Sequence, residues 1–435
     1  MILCETPDFL KLKNWKHSFR SSTKIISNFN FLTNFIHNHM KKVIFSLAGL
    51  LSVTTIVAQS NTSNVDQSGE NNTTSIIQTG NENAITLNQD GNSNLSRAFQ
   101  GSVDFISING NISQIQTGDK NFAFVQQEHD NNVAIQTQNG NGNSASITQN
   151  IINSGGNNRA EQFQSGDNNI VTISQEGTNS TGTGVFNNAS SGQLGNDNAV
   201  TITQGGDTNF SFNLQIGDEN EAVVTQSGVR NGSDQRQTGD ANIAMSDQFG
   251  DNNILLQSQD GGGNLATAIQ GSSLSNSVSG FVNQRQSGDE NSALAHQEQD
   301  RNRINQTQGG DENSIVASQN IESSGGQNLA DQFQSGNGNT AMVSQEGLSS
   351  DVLGEQNSAF QNQFGNENTI ITSQRGRGNR SRISQRGELH ISENTQVGLS
   401  NFAEVNQFGT AQNNTILQNG TGNTALVTQI GASNQ

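Results

Sequence analysis

A glutamine recurs at every eleventh position through most of this chain, from Gln67 to Gln429. We call each eleven-residue unit an arm, and the chain has 31 such glutamines once a few longer gaps are allowed. Glycine follows two positions later in 25 arms, and asparagine follows five positions later in 23. A fixed short period is typical of stacked repeat proteins. The period therefore predicts that function lies in the stack rather than in a pocket.

The residues between an asparagine and the next glutamine alternate between apolar and polar, as in residues 198–204, NAVTITQ. This period of two predicts a β-strand with asparagine, two apolar residues and glutamine on one face. A period of eleven can also indicate a right-handed coiled coil. Frequent glycine, asparagine, threonine, valine and isoleucine oppose a helix and exclude that alternative. The glycine marks a turn between consecutive arms.

Two arms make one flat coil of twenty-two residues. We predict an all-β, amyloid-forming β-solenoid (β-helix) of about 15 stacked two-strand coils. Stacking places each inward asparagine and glutamine above its counterpart, so that side-chain amides form ladders while Ile, Val, Leu and Ala fill the interior. At about 4.8 Å per coil, the stack is about 70–75 Å long.

Three kinds of residue are predicted to hold the stack together. The ladder glutamines are Gln67, Gln78, Gln89, Gln116, Gln138, Gln164, Gln204, Gln215, Gln226, Gln237, Gln248, Gln286, Gln308, Gln334, Gln374, Gln396, Gln407, Gln418 and Gln429. The ladder asparagines are Asn121, Asn169, Asn198, Asn220, Asn242, Asn291, Asn313, Asn339, Asn368, Asn401 and Asn423. The turn glycines are Gly118, Gly166, Gly217, Gly239, Gly288, Gly336, Gly398 and Gly420.

A second, longer period overlies the first. Arms that lack the turn glycine pair at an offset of 170 in residue number, as Ser102 does with Ser272. One copy contains 14 arms and insertions of five, four and seven residues, which follow Gln100, Gln149 and Gln175. We predict an internal duplication at this offset, in which the insertions bulge out at turns. The even number of arms keeps the two sides of the coil in phase.

The N-terminal part of the chain differs from the repeats. Residues 40–58 have a short basic start, an apolar run and the small residue Ala58, which is typical of a secretory signal peptide. Signal peptides begin at the N-terminus, so we expect residues 1–39 to be an untranslated or non-native extension. An internal membrane anchor is the alternative, but the apolar run is short for a spanning helix. Residues 59–435 form the repeat region.

Charge and cysteine usage narrow the possible partners. Residues 1–58 hold seven of the 20 Lys and Arg and two of the 38 Asp and Glu, so the mature chain has 13 basic and 36 acidic residues and a net charge of −23. Such a chain is not expected to bind nucleic acid or an anionic membrane. Disulfides are excluded because no cysteine follows Ala58. An apolar fraction of 30% suggests disorder, but the strict period overrides that signal.

Several arms match the repeat of curlins, the subunits of bacterial curli fibres, which runs S-x5-Q-x-G-x2-N-x-A-x3-Q. Residues 116–127, QTGDKNFAFVQQ, fit it from the first glutamine to the last, with Ala123 at the alanine position. Other fitting stretches are residues 215–226, 396–407 and 418–429, with Ala222, Ala403 and Ala425. The chain therefore resembles the curlin family over essentially residues 61–435, although asparagine usually replaces the leading serine.

The resemblance implies a secreted bacterial protein that polymerises outside the cell into cell-surface-associated amyloid fibres. Such homopolymers serve biofilm matrix, adhesion and surface colonisation. The implied partners are a nucleator subunit and an outer-membrane secretion pore, without stable membrane insertion. Family members typically carry fewer coils, so the resemblance leaves open whether this chain is a main subunit, a nucleator or a long side component.

We interpret the first and last arms as uncapped, and the alternative is that degenerate end arms act as caps themselves. Soluble solenoids need caps because an exposed end coil offers unpaired backbone groups to another strand. We therefore expect each end coil to template the addition of another subunit.

Charged residues at the turns and on one stretch of the chain stand out. A solvated turn that slows premature association is favoured over a calcium site, because the GGxGxDxUx pattern of calcium-binding β-helices is absent. The aspartates that follow turn glycines are Asp119, Asp167, Asp218, Asp240, Asp251, Asp289 and Asp311. The basic cluster consists of Arg375, Arg377, Arg380, Arg382 and Arg386. We interpret it as a solvated face, with an acidic patch of another subunit or an anionic polysaccharide as alternative contacts.

Aromatic and histidine residues complete the candidates. Phe122, Phe124, Phe210 and Phe212 are expected to project outward, where they could dock fibres or surfaces. The histidines His129, His296 and His390 lack metal-ligand spacing. No nucleophile–base pair or phosphate-binding glycine motif is present, so we predict neither a cofactor nor an enzyme.

The alternative function is a soluble or cell-surface β-solenoid adhesin that binds glycans through one flat face. An ice-binding solenoid requires a regular T-x-T file on one face, and the outward positions of this chain are too mixed.

Overall fold

The computed structural model describes residues 60–151, 156–177, 186–272, 275–321, 326–347 and 356–432. All described residues belong to one compact unit. The expected extension and signal peptide therefore lie outside the described residues. Within those residues, all regular elements are β-strands.

The strands are short and follow one another at nearly constant spacing. In chain order they are β1 Thr62–Ser68, β2 Thr73–Gln78, β3 Gly80–Asn81, β4 Ala84–Asp90, β5 Leu95–Gln100, β6 Ser107–Ile108, β7 Asn111–Thr117, β8 Phe122–Gln127, β9 Val133–Asn139, β10 Ser144–Gln149, β11 Arg159–Ser165, β12 Ile170–Glu176, β13 Asn188–Leu194, β14 Ala199–Asp207, β15 Phe210–Ile216, β16 Glu221–Val229, β17 Gly232–Thr238, β18 Ile243–Asp251, β19 Ile254–Asp260, β20 Leu265–Gln270, β21 Ser277–Val278, β22 Phe281–Ser287, β23 Ser292–Gln297, β24 Arg303–Gly309, β25 Ser314–Gln319, β26 Leu329–Ser335, β27 Thr340–Glu346, β28 Ser358–Phe364, β29 Thr369–Arg377, β30 Arg380–Glu388, β31 Ile391–Leu399, β32 Phe402–Thr410, β33 Asn413–Thr421 and β34 Thr424–Ala432.

Successive arms alternate between two sheets. The first sheet has the order β1-β4-β7-β9-β11-β13-β15-β17-β19-β22-β24-β26-β28-β30-β32-β34. The second sheet has the order β2-β5-β8-β10-β12-β14-β16-β18-β20-β23-β25-β27-β29-β31-β33, with β21 beside β18. The short strands β3 and β6 pair with each other.

All strand pairs are parallel, and a strand pairs with the strand one coil away. Gln67 is opposite Gln89, and Gln204 is opposite Gln226, so the two members of each pair are separated by two arms. A one-residue slip would turn every inward side chain outward, so the buried face fixes this register. The predicted all-β fold, a β-solenoid of two-strand coils, is confirmed, with 16 levels in the first sheet and 15 along the main path of the second.

Burial alternates along each strand as the period of two predicts. In β14, Val200, Ile202 and Gln204 are buried, whereas Thr201 and Thr203 are exposed. Apolar residues of both sheets meet in three buried clusters along the described part of the solenoid. Asparagine before most strands and glutamine near their ends therefore flank a narrow centre.

The turns explain why glycine recurs. In the turn after β15, Gly217 has φ 117° and Glu219 has φ 58°. A Cβ atom at Gly217 would lie 2.2 Å from the carbonyl oxygen of Gly239, one coil further on. Both the left-handed backbone and the close approach of stacked turns thus require glycine.

The two edges of the solenoid differ. We call the turns that lead from the first sheet to the second the smooth edge, and the turns that lead back the loop edge. The glutamines followed by a gap longer than one arm are Gln100, Gln149, Gln175, Gln270, Gln319 and Gln345. All six belong to the second sheet, so every insertion lies on the loop edge. Gln149 still pairs with Gln175, so the insertion leaves the register intact.

Candidate functional site

The registered glutamines form two continuous hydrogen-bonded columns inside the solenoid. In each, Nε2 of one glutamine donates to Oε1 of the glutamine in the next coil. The first-sheet column, with N···O distances of 2.5–3.1 Å, contains Gln67, Gln89, Gln116, Gln138, Gln164, Gln193, Gln215, Gln237, Gln259, Gln286, Gln308, Gln334, Gln363, Gln385, Gln407 and Gln429. The second-sheet column, at 2.6–3.3 Å, contains Gln78, Gln100, Gln127, Gln149, Gln175, Gln204, Gln226, Gln248, Gln270, Gln297, Gln319, Gln345, Gln374, Gln396 and Gln418.

Each amide also joins the two sheets. Nε2 of Gln215 donates to the backbone oxygen of Ala199 at 3.1 Å, and Nε2 of Gln226 donates to that of Phe210 at 2.9 Å. One N–H thus points along the column and the other crosses to the opposite sheet. A buried polar group left without a partner costs about 1–3 kcal/mol, so this full pairing is what makes an amide-lined interior stable.

The columns have a direction. Every glutamine donates towards the C-terminal end of the stack, so the first level presents acceptor oxygens and the last level presents amide hydrogens. Nε2 of Gln407 donates to Gln429 at 2.8 Å, whereas the amide of Gln429 donates to the backbone oxygen of Asn413 alone within the described residues. The two ends are therefore chemically complementary.

A third glutamine column was missed by the sequence interpretation. It lies in the first sheet, at the inward position assigned above to the second apolar residue. Its members, joined in two runs at 2.7–3.1 Å, are Gln114, Gln136 and Gln162, then Gln235, Gln257, Gln284, Gln306, Gln332 and Gln361. Ser191 and Asn213 separate the runs. The prediction that Ile, Val, Leu and Ala fill the interior is thus wrong for this position. The signal in the sequence is Q-x-Q in alternate arms.

The asparagines pair with turn backbone and with one another, as Nδ2 of Asn220 does with Oδ1 of Asn198 at 3.1 Å. Asn220 donates its backbone N–H to Oδ1 of Asn198 at 3.0 Å, and its Nδ2 donates to the carbonyl of Gly239 at 2.7 Å. Of the predicted asparagines and glycines, those on the loop edge are Asn401, Asn423, Gly398 and Gly420, and the others lie on the smooth edge. The side-chain amides thus clamp each turn to the next.

The turn aspartates do more than carry charge. Oδ1 of Asp218 accepts the backbone N–H of Asn196 at 2.7 Å, and Oδ1 of Asp240 accepts that of Asp218 at 2.9 Å. The other aspartates that accept a backbone N–H from the preceding coil are Asp119, Asp167, Asp251, Asp289 and Asp311. The interpretation as a purely solvated turn is therefore incomplete, because these side chains also pair adjacent coils.

One histidine enters a ladder. His390 replaces an asparagine on the smooth edge and is fully buried. Its Nδ1 accepts the backbone N–H of Gln412 at 3.3 Å, and its Nε2 lies 3.3 Å from the backbone oxygen of Arg386. Nδ1 as acceptor and Nε2 as donor describe a neutral ring, and burial lowers the pKa of His390 from its usual value.

The outward candidates are spread over both sheets. Phe122 and Phe124 lie on the second sheet, and Phe210 and Phe212 lie on the first. Phe210 is 46% exposed, and the other three are partly buried by neighbouring side chains. Their outward projection agrees with the alternation of the strands.

The basic cluster is not one surface. Arg375 and Arg377 lie in β29 of the second sheet, whereas Arg380, Arg382 and Arg386 lie in β30 of the first. A turn separates the two strands, so residues that are close in sequence face opposite sides. The single basic face assumed from the sequence is therefore wrong.

The two ends of the stack have open strand edges. Among the described residues, β1 pairs only with β4, and β34 pairs only with β32. All seven residues of β1 are exposed. An unpaired edge of this kind presents backbone N–H and C=O groups to another strand.

The described residues contain no group of three His, Cys, Asp or Glu side chains that could hold a metal ion. No helix among them is long and apolar enough to cross a membrane.

Comparison with known proteins gives one family match. A protein-family model described as the Curlin associated repeat matches residues 58–100 and 195–228. The first stretch holds four consecutive arms, and the second holds β14, β15 and most of β16. No curated protein matches the chain. The matched repeat and the solenoid are structural rather than catalytic, and the family is associated with self-assembly into extracellular fibres.

Proposed function

We propose that this chain, a curlin-repeat protein, is the structural subunit of an extracellular curli-like amyloid fibre that grows by templated β-strand addition. The observation that carries the proposal is the complementarity of the two ends. Open strand edges and amide hydrogens lie at one end, and open strand edges and amide oxygens lie at the other.

Growth proceeds by continuing the pattern that already holds within the chain. The first coil of an incoming subunit docks on the last coil of the previous one, and backbone hydrogen bonds extend both sheets. Gln429 and Gln418 then donate to glutamines of the incoming chain, as Gln407 and Gln396 do within the chain. Only one register aligns the amides, since a slip by one residue would turn them outward.

The family match supports the wider role. Curlin repeats suggest that the fibre forms at the bacterial cell surface, where it serves biofilm matrix, adhesion and surface colonisation. We infer that a nucleator subunit starts growth and that an outer-membrane pore exports the chain.

The test is fibre growth by purified residues 59–435, followed by thioflavin fluorescence, with one inward and one outward substitution. Gln215→Ala removes the ladder acceptor of Gln193 and the ladder donor to Gln237, at a cost of about 1–3 kcal/mol, and slows elongation. Thr203→Ala changes an exposed outward residue and leaves elongation unchanged.

Equal slowing by both substitutions would argue against templating by ladders. A folded chain that stays monomeric at high concentration would rule out the fibre and favour the adhesin.

A further inference from the structure

Three arginines form an exposed row on the outer face of the first sheet. We call Arg380, Arg382 and Arg386 the arginine patch. They occupy the first, third and seventh positions of β30, so the row runs along the strand for about 20 Å, across the solenoid axis. The guanidinium of Arg380 lies 5.7 Å from the ring centroid of Phe360. That of Arg386 lies 5.5 Å from the ring of Phe364. Stacking on an aromatic face leaves the edge N–H groups of a guanidinium free to donate.

The patch lacks acidic partners of its own. Elsewhere on the same face, Arg159 pairs with Glu161, and Arg236 pairs with Asp234. The described residues contain no ion pair to the arginine patch, although Glu404 is opposite Arg382 on the neighbouring strand. Three unpaired cations on a strongly acidic chain form a surface suited to an anionic partner.

A matching surface lies on the smooth edge. We define the acidic edge as Asp218, Glu219, Asp240, Asp289, Glu290, Asp311 and Glu312. These residues belong to the turns that follow β15, β17, β22 and β24, and the turn after β19, which lies between them, contributes none. None of these five consecutive turns contains a lysine or arginine. Four steps of about 4.8 Å give the edge a length of about 19 Å along the axis.

We propose that the arginine patch of one copy binds the acidic edge of a second copy, with the two solenoid axes crossed at about a right angle. The arginine patch runs across the solenoid axis of the first copy, and the acidic edge runs along the solenoid axis of the second copy. Crossing the two axes therefore places the patch, about 20 Å long, parallel to the edge, about 19 Å long. The Oδ1 atoms of the aspartates pair with backbone N–H groups, and each carboxylate keeps a second oxygen for a guanidinium.

A second copy fits better than another anion because the chain itself carries the complementary surface. The contact lies on the sides of the solenoid and not at its ends, so it does not depend on fibre growth. In a fibre, it would join filaments at crossings and produce a mesh instead of parallel bundles.

The test uses full-length mature chain and two charge-neutralising variants. One is the triple variant R380Q, R382Q and R386Q, and the other is D240N, D289N and D311N. Asparagine keeps the Oδ1 acceptor, as Asn196 and Asn337 do in the same column. The matched control removes three exposed arginines that lie outside the patch, as R97Q, R230Q and R375Q.

Sedimentation velocity of freshly purified soluble chain at low salt measures self-association. We expect the wild type and the control to associate, and each patch variant to bind at least about tenfold more weakly. Association of the wild type should also disappear at about 1 M salt, where the Debye length is about 3 Å. A mixture of the two patch variants should recover association, because each supplies the surface that the other lacks.

Three results would overturn the proposal: equal loss in the control, no recovery in the mixture, or undiminished association of the aspartate variant. If the aspartate variant associates undiminished while the wild type binds a soluble acidic polysaccharide that the arginine variant does not bind, that combination would assign the arginine patch to the polysaccharide. Thioflavin kinetics on the same samples report fibre growth separately. If the chain forms no fibres but the crossed association is intact, the proposed function is contradicted and the crossed contact is not.

Discussion

The two sheets share one backbone and one register, yet they fill the same inward position differently. At nine levels of the first sheet the position holds glutamine, as at Gln284, in a bonded column. In the second sheet the equivalent position is mostly Ala, Val or Ile, as at Ala295 and Ile173. Both kinds of column are buried, so hydrophobicity alone does not decide what can occupy the interior.

The difference shows what an amide column requires. An apolar side chain gains from burial whatever its neighbours are, because the hydrophobic effect is not directional. A buried amide is stable only when the next level presents a matching group at hydrogen-bond distance. At this inward position, the first sheet therefore specifies its register through amide pairing, and the second sheet specifies it through apolar packing. The substitutions below separate these two contributions.

The largest effect is expected in the apolar column. Ile173→Ala removes a fully buried side chain that is stacked between Ile147 and Ile202. Loss of this volume should destabilise the local structure by about 2–5 kcal/mol. Hydrogen exchange of peptides from β10 to β14 measures the change. A cost below about 1 kcal/mol would mean that amide pairing alone supports this level.

A comparable but chemically different cost is expected in the third glutamine column. Gln284→Leu leaves one N–H of the Gln257 amide and Oε1 of Gln306 unpaired, which should cost about 2–4 kcal/mol in local hydrogen exchange. Leucine fits sterically, since Leu87 is buried in the same column at another level. Thr307→Ala, which changes an outward residue, serves as the control.

The double variant tests how the column shares its bonds. Adding Gln306→Leu to Gln284→Leu moves the unpaired acceptor from Gln306 to Gln332, so the number of unpaired groups stays at two. We expect the second substitution to add less than about 1 kcal/mol. The same exchange experiment measures the cost of the double variant. If that cost equals the sum of the two single costs, each glutamine acts alone, and the first sheet does not differ from the second in how this position is stabilised.

The smallest effect concerns pH and extends the comparison to the turn columns. The folded-state pKa of His390 is lowered by burial from 6.5, so the unfolded chain binds a proton at a higher pH than the folded chain does. The contribution of His390 to stability should be present above pH 6.5 and be lost as the pH falls from there towards the folded-state pKa. His390→Asn, which restores the usual residue, should remove this component of the pH dependence. Urea titrations at several pH values measure it, and identical profiles would contradict the neutral buried ring.

Much of the fold could be predicted from the sequence because a single period of eleven carries it. The strand alternation, the two-arm coil and the turn at each glycine all follow from spacing. The third glutamine column was not predicted because its glutamines recur every two arms and not in every arm. Gln114 and Gln136 come from alternate arms, and only sorting the arms into two sheets brings them together.

The roles of the turn aspartates and of the arginines could not be predicted from residue spacing, because they depend on the three-dimensional stacking of coils. The turn aspartates, such as Asp240, were interpreted by their charge, but the stacking of turns places a backbone N–H within reach of each Oδ1. The arginines were taken as one cluster, but the turn between Arg377 and Arg380 sends them to different sheets. In both cases the residue type could be read from the sequence, whereas its neighbours depend on how the coils stack.

X-ray diffraction from aligned fibres of residues 59–435 tests most directly whether stacked, register-matched coils continue from one chain to the next. The account predicts a meridional reflection at about 4.8 Å and an equatorial reflection at about 10 Å, as parallel strands stacked along the fibre axis produce. Fibres that lack this meridional reflection, or a chain that forms no fibres, would contradict it.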